Sequence, residues 1–474
     1  VSMQCNENLR IFFSTWSGRA GLTLLIILTA VSLYTLITVP IPEVSARWND
    51  PQYWADYPKN APPSWVNLFS SRKLLETIVF QERNIEIVGK GRAAEFLVNY
   101  EYDAFPTHIS LIVSGLKYTS RAPVLTLSVV RPDGYSIEVA RVPVPHPRPD
   151  EQAPYVRFAL KPERVLVSSS DELVRGVYDL YRDRFGAQVT PTKIMQEGPQ
   201  KYLFGVPQGA EIKPLKGVYR FTLTATQNEG ALSIESVQIV LGGETYGFMG
   251  TDVIGRDLAL GLLLGFPISL FIGVITSVIV TGLGAALGLI SGYAGGMIDN
   301  IIQRFADFIN NIPVLPLLIF LVFSFGAKLW IIIVAFVAFG WPGLAIVTRS
   351  IVLQLRESQY VESARAIGAS NLRILARHIF PSIAPFILAQ VIFLTPSFIL
   401  LEAALSFLGL GDPSLPTWGQ ILELGFRSAA VYLGYWWWIL PPGILIIVTA
   451  LTFVMISLGL EPVINPRVRA VGRR

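Results

Sequence analysis

Few residues in this chain are of kinds that do chemistry, and their spacing argues against catalysis. The histidines are His108, His146 and His378, too few and too scattered for a metal site. A single cysteine, Cys5, excludes an internal disulfide and any Cys-based zinc site. There is no nucleophile elbow, zinc spacing or calcium loop, and no Gly-x-x-x-x-Gly-Lys-Ser/Thr run to cradle nucleotide phosphates. Three features remain. Glu402 is the only acid in the apolar run from Ile383 to Leu408; a charged stretch runs from Tyr360 to Pro381; and Gly250-Thr251-Asp252 is followed by Gly255-Arg256-Asp257.

The elements that must position these residues are set by composition. Of 474 residues 52% are hydrophobic and only 15% charged, against roughly a quarter charged in soluble domains. The charges are uneven: residues 41–249 hold 23 basic and 23 acidic residues, and the other 265 share 26. The chain is therefore a neutral, soluble-looking block inserted in a membrane block that carries the whole net charge of +4. Val1 in place of Met leaves an alternative start codon and a missing residue both open.

Residues 20–39 carry no charge, long enough at about 1.5 Å per residue to cross a bilayer core of about 30 Å. A cleaved signal peptide is the rival, but the run is long for one and Pro42-Glu43 intervenes before Val44-Ser45-Ala46. Further spans are expected at 259–291, 306–326, 329–348, 383–405 and 436–459, six in all. With the N-terminus inside, the cytoplasmic segments hold Arg10, Arg19, Arg304, Arg349, Arg356, Arg365, Arg373, Arg377, Arg467, Arg469, Arg473 and Arg474. The opposite short loops hold only Lys328 and Arg427, so both termini are expected in the cytoplasm and 41–249 outside it. Trp436, Trp437 and Trp438 are expected at the outer interface.

Within the inserted block, Phe96, Val98, Tyr100 and Tyr102 alternate with polar residues, as do Leu125, Leu127 and Val129. After the turn Arg131-Pro132-Asp133-Gly134, Ile137 and Val139 resume, and Tyr219, Phe221, Leu223 and Ala225 repeat the pattern. Antiparallel strands follow, most simply a β-sandwich, with one amphipathic helix at 171–185. His146 lies in a stiff Pro-rich loop, and docking or shielding is favoured over an enzymatic role.

The stretch 360–381 reads as two short helices broken at Gly368, with Val361, Ala364 and Ile367 as one apolar stripe and Leu372, Leu375 and Ile379 as another. Such a pair needs a partner surface, or else lies on the membrane. Glu362 is either a solvated charge at a helix start or a contact to a partner; Arg365, Arg373 and Arg377 are explained at least in part by the charge rule alone. Glu402 is a functional-site hypothesis, as a structural or gating group or in direct substrate contact. Asp252, Arg256 and Asp257 are expected to anchor the start of the second span, with Arg256 snorkelling and paired to a carboxylate.

The pattern Glu362-Ser363-Ala364, Gly368, Arg377-His378-Ile379-Phe380-Pro381 resembles the EAA loop of ABC importer permeases. Ser363 stands for the usual second alanine and Phe380 for the usual leucine. Gly250-Thr251-Asp252 with Gly255-Arg256-Asp257 is similar to a signature of dipeptide/oligopeptide/nickel permeases. Gly292-Tyr293-Ala294-Gly295-Gly296 with Asp299, the segment 402–411 and Pro416-Thr417-Trp418-Gly419 fit the same subfamily, second-permease type. The block 41–249 departs from it.

The resemblance implies an all-α polytopic membrane domain, type I ABC importer-like, with six transmembrane helices; the inserted mainly-β extracytoplasmic domain lies outside it and rests on the strand pattern alone. The chain's parts would be 1–40 with the first span, the insertion 41–249, a five-helix core 250–460 with coupling loop 350–382, and a basic tail 461–474. Contacts to an ATPase would come from Glu362, Ser363, Ala364, Ile367, Gly368, Arg377 and Pro381, with Glu402 and Trp418 as gate or structural residues. Implied partners are a second permease, two ABC ATPases, an extracytoplasmic solute-binding protein and the lipid of a prokaryotic cytoplasmic membrane; no nucleic acid is expected. No cofactor or metal is expected on this chain, and ATP and Mg would sit on the ATPases. Short peptides are the expected cargo, with oligosaccharides as the other possibility. The rival from another class is a channel or sensing subunit with 41–249 as its receptor.

Overall fold

The computed structural model describes residues 10–88, 91–159, 161–209, 211–226 and 231–464. Cys5, Arg467, Arg469, Arg473 and Arg474 lie outside them. The chain forms two compact units, Pro51–Leu258 and the combination of Val1–Asp50 with Ala259–Arg474. Residues 41–50 thus group with the helical unit, and 250–258 with the other.

The Pro51–Leu258 unit is built on two antiparallel sheets. One has the order β1 (Ile78–Val88), β11 (Ala231–Leu241), β3 (Ile109–Tyr118), with the short β6 (Tyr155–Arg157) and β7 (Glu163–Leu166) both paired to β3. The other runs β2 (Gly91–Tyr100), β10 (Gly217–Thr226), β4 (Val124–Val130), β5 (Ser136–Pro143). A small hairpin pairs β8 (Gly205–Gln208) with β9 (Glu211–Pro214). Alternation decides which side faces in: Phe221 lies opposite both Phe96 and Val129, and all three are buried. Inward side chains of both sheets share one core, so the sandwich reading holds. Tyr102 falls beyond the end of β2.

The expected helix is Asp171–Phe185. Ser170 caps it by accepting the Leu173 N–H, Gly186 ends it at φ 61°, and Leu173, Val177, Leu180 and Tyr181 face the core. The expected turn at 131–134 is present, but Arg131 is no surface residue. Its side chain is fully buried, pairs with Asp133 and donates to the carbonyls of Tyr202, Leu203 and Gly205. A planar fork with five donors suits this cluster of carbonyls better than any other side chain.

Among the described residues five helices are long and apolar enough to cross a membrane: Trp16–Thr38, Leu258–Ala294, Leu329–Arg356, Asn371–Phe407 and Trp436–Val463. The span expected at 306–326 is not one helix. Gly296–Asn310 and Val314–Phe325 meet at 79° across Pro313, whose ring cannot donate to a continuing helix; counted together they make a sixth crossing. Of the three tryptophans expected at the outer interface, Trp436 is half-exposed, whereas Trp437 and Trp438 are buried and Trp438 Nε1 donates to the Ile421 carbonyl at 3.1 Å.

Close helix contacts fall on glycines. A Cβ on Gly284 would lie 2.9 Å from the Trp341 carbonyl, on Gly288 2.6 Å from that of Ala345, and on Gly292 2.8 Å from that of Arg349. This four-residue repeat lets Leu258–Ala294 lie backbone to backbone on Leu329–Arg356, where lipid offers no hydrophobic driving force and packing must hold helices together. Trp16–Thr38 meets the last helix in the same way, with Gly18 against Gly459 and Gly21 against Ile456.

Candidate functional site

The loop after Leu329–Arg356 folds as a short helix, Gln359–Ala366, a tight turn and a second helix start at Asn371. Gly368, at φ 82°, takes the left-handed conformation; its N–H bonds the Arg365 carbonyl and that of Ala369 reaches Ala364. The second helix is not short, as expected, but runs without a break through a wider π turn at Leu375–Ile379 to Phe407. Pro381 stands in the first turn after that widening, where the missing N–H costs least.

Burial splits the expected stripes. Val361, Ala364, Ile374 and Ile379 are buried in one cluster with Tyr293, Val352 and Ile383. Ile367 and Leu372 are instead 86% and 77% exposed, on either side of Gly368. The turn directs both outward, which a purely helical projection of the sequence misses. Glu362 and Ser363 are exposed, and Ser363 Oγ donates back to the Gln359 carbonyl at 2.8 Å. Ser363, Ala364, Ile367, Gly368 and Arg377 border one shallow cavity of about 460 Å³; Glu362 and Pro381 are not part of its wall.

The loop rests on a polar frame. Tyr293 Oη donates to Asn371 Oδ1 at 3.0 Å, and Arg356 Nη1 donates to the Tyr293 carbonyl at 3.2 Å. Two turns before Arg356 on the same helix, Arg349 grips Asp299 while Ser291 Oγ donates to the same carboxylate at 2.5 Å and Gln303 Nε2 donates to Ser291 Oγ at 2.8 Å. Sequence alone marks Asp299 as a signature residue and Arg349 as one of the cytoplasmic arginines.

Glu402 and Trp418 come together in the packing of the helical unit. Glu402 is 3% exposed, accepts from Ser406 Oγ at 2.7 Å and is hydrogen-bonded by the Thr417 side chain. Its partner Thr417 lies in the neighbouring loop, just ahead of helix Trp418–Arg427, so the carboxylate is held by protein and not by water. Thr417 caps helix Trp418–Arg427 by accepting the Gln420 N–H. Trp418 Nε1 donates to the Leu262 carbonyl at 2.9 Å, and its ring meets Phe266 edge-on at 5.0 Å. Gly265 makes room for that ring, since a Cβ there would lie 2.1 Å from Nε1.

The Gly250–Asp257 cluster lies largely outside this framework, in the β unit. Asp252 Oδ1 accepts the N–H groups of Ile254, Gly255 and Arg256, and Oδ2 pairs with Arg256 Nε at 2.5 Å. Thr251 Oγ1 donates to the Pro58 carbonyl and accepts the Ala61 N–H. Gly250 and Gly255 hold positive φ, and the Gly250 carbonyl accepts the N–H of Leu258, first residue of the next helix. The cluster is a closed clasp that fixes where that helix begins.

Comparison with known proteins agrees with this arrangement. The family model for the binding-protein-dependent transport system inner membrane component matches residues 284–470. The dipeptide transport system permease protein of Bacillus subtilis (strain 168) is 34% identical over 223 residues, 47% of this chain and 69% of that protein. The oligopeptide transport system permease protein of Escherichia coli (strain K12) is 35% identical over 223 residues, 47% and 73% of the two chains. A putative peptide transport system permease protein of Brucella suis biovar 1 (strain 1330) is 38% identical over 224 residues, 47% and 74%. The chain belongs to the family of binding-protein-dependent transport system inner membrane components and is a permease of an ABC importer.

Proposed function

We propose that this chain is one of two permease subunits of an importer for short peptides, driven through residues 360–381 by ATPases on separate chains. The observation that carries the reading is the exposed pair Ile367 and Leu372, held out on a turn whose inner face, Val361 and Ile374, is fully buried. Two large apolar side chains fixed in that way, among the exposed charges of Glu362, Arg365, Arg373 and Arg377, fit a protein groove better than hydrocarbon. The excess of arginine on this side of the spans supports a cytoplasmic position.

The geometry also supports a mechanism. Because the turn leads unbroken into the helix ending at Phe407, and Tyr293 ties it to the neighbouring helices, a push on Ile367 and Leu372 moves a rigid body. ATP binding closes the ATPases, draws the two permeases' loops together and opens the spans outward; hydrolysis resets them. ATP and magnesium belong to those partners, and this chain needs no cofactor of its own. Glu402, buried and bonded to Ser406 and Thr417, acts as an internal brace rather than a cargo contact.

Peptides as cargo rest on the relatives, whose names specify dipeptide and oligopeptide transport. The β unit lies on the extracytoplasmic face and receives the solute-binding protein. Deleting 50–245 is expected to weaken binding-protein affinity, and unchanged affinity rejects that docking role. For the whole reading, purification of the tagged chain from native membranes is expected to bring down a second permease and an ATPase. An intact, active complex with no ATPase would refute it.

A further inference from the structure

Residues Ser64–Leu68 form one 3-10 turn that Phe69 closes. The turn is tied to the segment that precedes the second span: the Ser64 N–H donates to the Gly247 carbonyl at 2.9 Å, and Trp65 Nε1 to the Phe248 carbonyl at 2.8 Å. Asn67 braces it from beneath with two 3.0 Å bonds to the Leu74 backbone. Held this way, Leu68, Phe69 and Phe248 point away from the core at 80%, 82% and 68% exposure, and the Trp65 ring meets Phe69 edge-on at 6.4 Å. Neither 64–69 nor 246–250 contains a charged residue. A fixed, uncharged, aromatic surface of this kind marks a contact site.

Its place in the chain says what covers it. Two residues beyond Phe248, the Gly250 carbonyl accepts the N–H of Leu258, where the apolar helix Leu258–Ala294 starts. The patch is thus tied to the segment bonded to the first residue of an apolar helix, and Trp and other amphipathic rings are favoured where such a helix meets the membrane boundary. We propose that Trp65, Leu68, Phe69 and Phe248 form an interfacial anchor that dips into the boundary between lipid headgroups and acyl chains and docks the β unit on the membrane surface. Shallow insertion of a few aromatic and leucine side chains is enough for such contact when a span already supplies the tether.

The test uses the full chain with Cys5→Ser and single cysteines Leu68→Cys, Phe69→Cys or Phe248→Cys, with Met195→Cys, at a half-exposed position on helix Pro191–Glu197, as the reference. Each is labelled with an environment-sensitive nitrobenzoxadiazole dye and reconstituted alone in phosphatidylcholine/phosphatidylglycerol vesicles. Spin-labelled phospholipids then report lipid contact. Dye at 68, 69 and 248 is expected to emit to the blue and to be quenched at least about two-fold more than at 195, most strongly by shallow spin labels. Dye in water at all three positions overturns the proposal. Dye shielded but unquenched also overturns it, because a protein surface then covers the patch. Unchanged melting of the three single-cysteine proteins guards against misfolding, and three positions keep the result decisive if one variant is lost.

Discussion

Arg349 holds Asp299 with both prongs of its guanidinium, Nε to Oδ1 and Nη2 to Oδ2, each at 2.5 Å. The pair fastens the bent helix Gly296–Asn310 to Leu329–Arg356, and Ser291 brings in the end of Leu258–Ala294. Two-pronged charge-assisted bonds are among the strongest a protein makes, and removing one partner strands the other. Because Arg349 keeps about a third of its side chain accessible, Asp299→Asn or Arg349→Met is expected to cost about 2 kcal/mol each, less than for a wholly buried pair. The double variant should cost less than the two together, as read by denaturant unfolding in micelles. Strict additivity would show that the two do not act as a pair.

The loop offers a separation of surface from support. Ile367→Ser with Leu372→Ser removes exposed side chains, so stability is expected to stay within about 0.5 kcal/mol while transport falls at least ten-fold. Ile374→Ala, at a fully buried position, is expected to lose about 3 kcal/mol. Melting curves and peptide uptake in vesicles distinguish the two. A large stability loss from the exposed pair would mean that they pack inside the chain.

Two glycines of one helix make an internally controlled experiment. An alanine Cβ at Gly288 meets the Ala345 carbonyl and Thr348 Cβ at 2.6 Å, whereas at Gly282 nothing lies within 4 Å. Gly288→Ala is expected to destabilise by about 1–3 kcal/mol, and Gly282→Ala to be neutral or slightly stabilising. Equal effects in thermal unfolding would contradict the close backbone contact.

How much of this was legible beforehand varied with the physics. Helix 171–185 could be read to the residue because Ser170, Gly186 and the apolar spacing all act locally. Strands β1, β3 and β11 escaped notice, since most side chains of β3 are buried and alternation is blurred there. The break at Pro313 is local, one proline among several in apolar runs, most of which lie inside continuous helices, whereas the burial of Trp438 and the Arg349–Asp299 pair depend on neighbours distant in sequence. At the loop, Gly368 was visible as a hinge, but only its three-dimensional turn reveals that Ile367 leaves the stripe begun by Val361 and Ala364.

The β unit carries a pH signature. Burial pushes the Tyr57 phenol up to about 12, with Tyr53 nearby adding to the shift, and burial together with Glu197 does the same for Tyr202. Tyr100 and Tyr219 are raised further by burial. A phenol raised in the folded state stabilises fully below the unfolded value near 10 and loses that contribution as pH climbs through the folded value. The unit is therefore expected to unfold between about pH 10 and 12, stability falling by about 1.4 kcal/mol per pH unit for each such tyrosine. Tyrosinate absorbance should appear together with loss of β structure; ionisation near pH 10 in an intact fold would be the opposite result.

The central claim, that an ATPase seats on the turn around Gly368, is tested most directly by crosslinking at Ile367. In a Cys5→Ser background, Ile367→Cys carrying a short photoactivatable crosslinker is reconstituted with the co-purified complex. The account predicts a product joining this chain to an ATPase subunit, altered in yield by ATP. An assembled complex that transports normally yet yields crosslinks to lipid alone would contradict it.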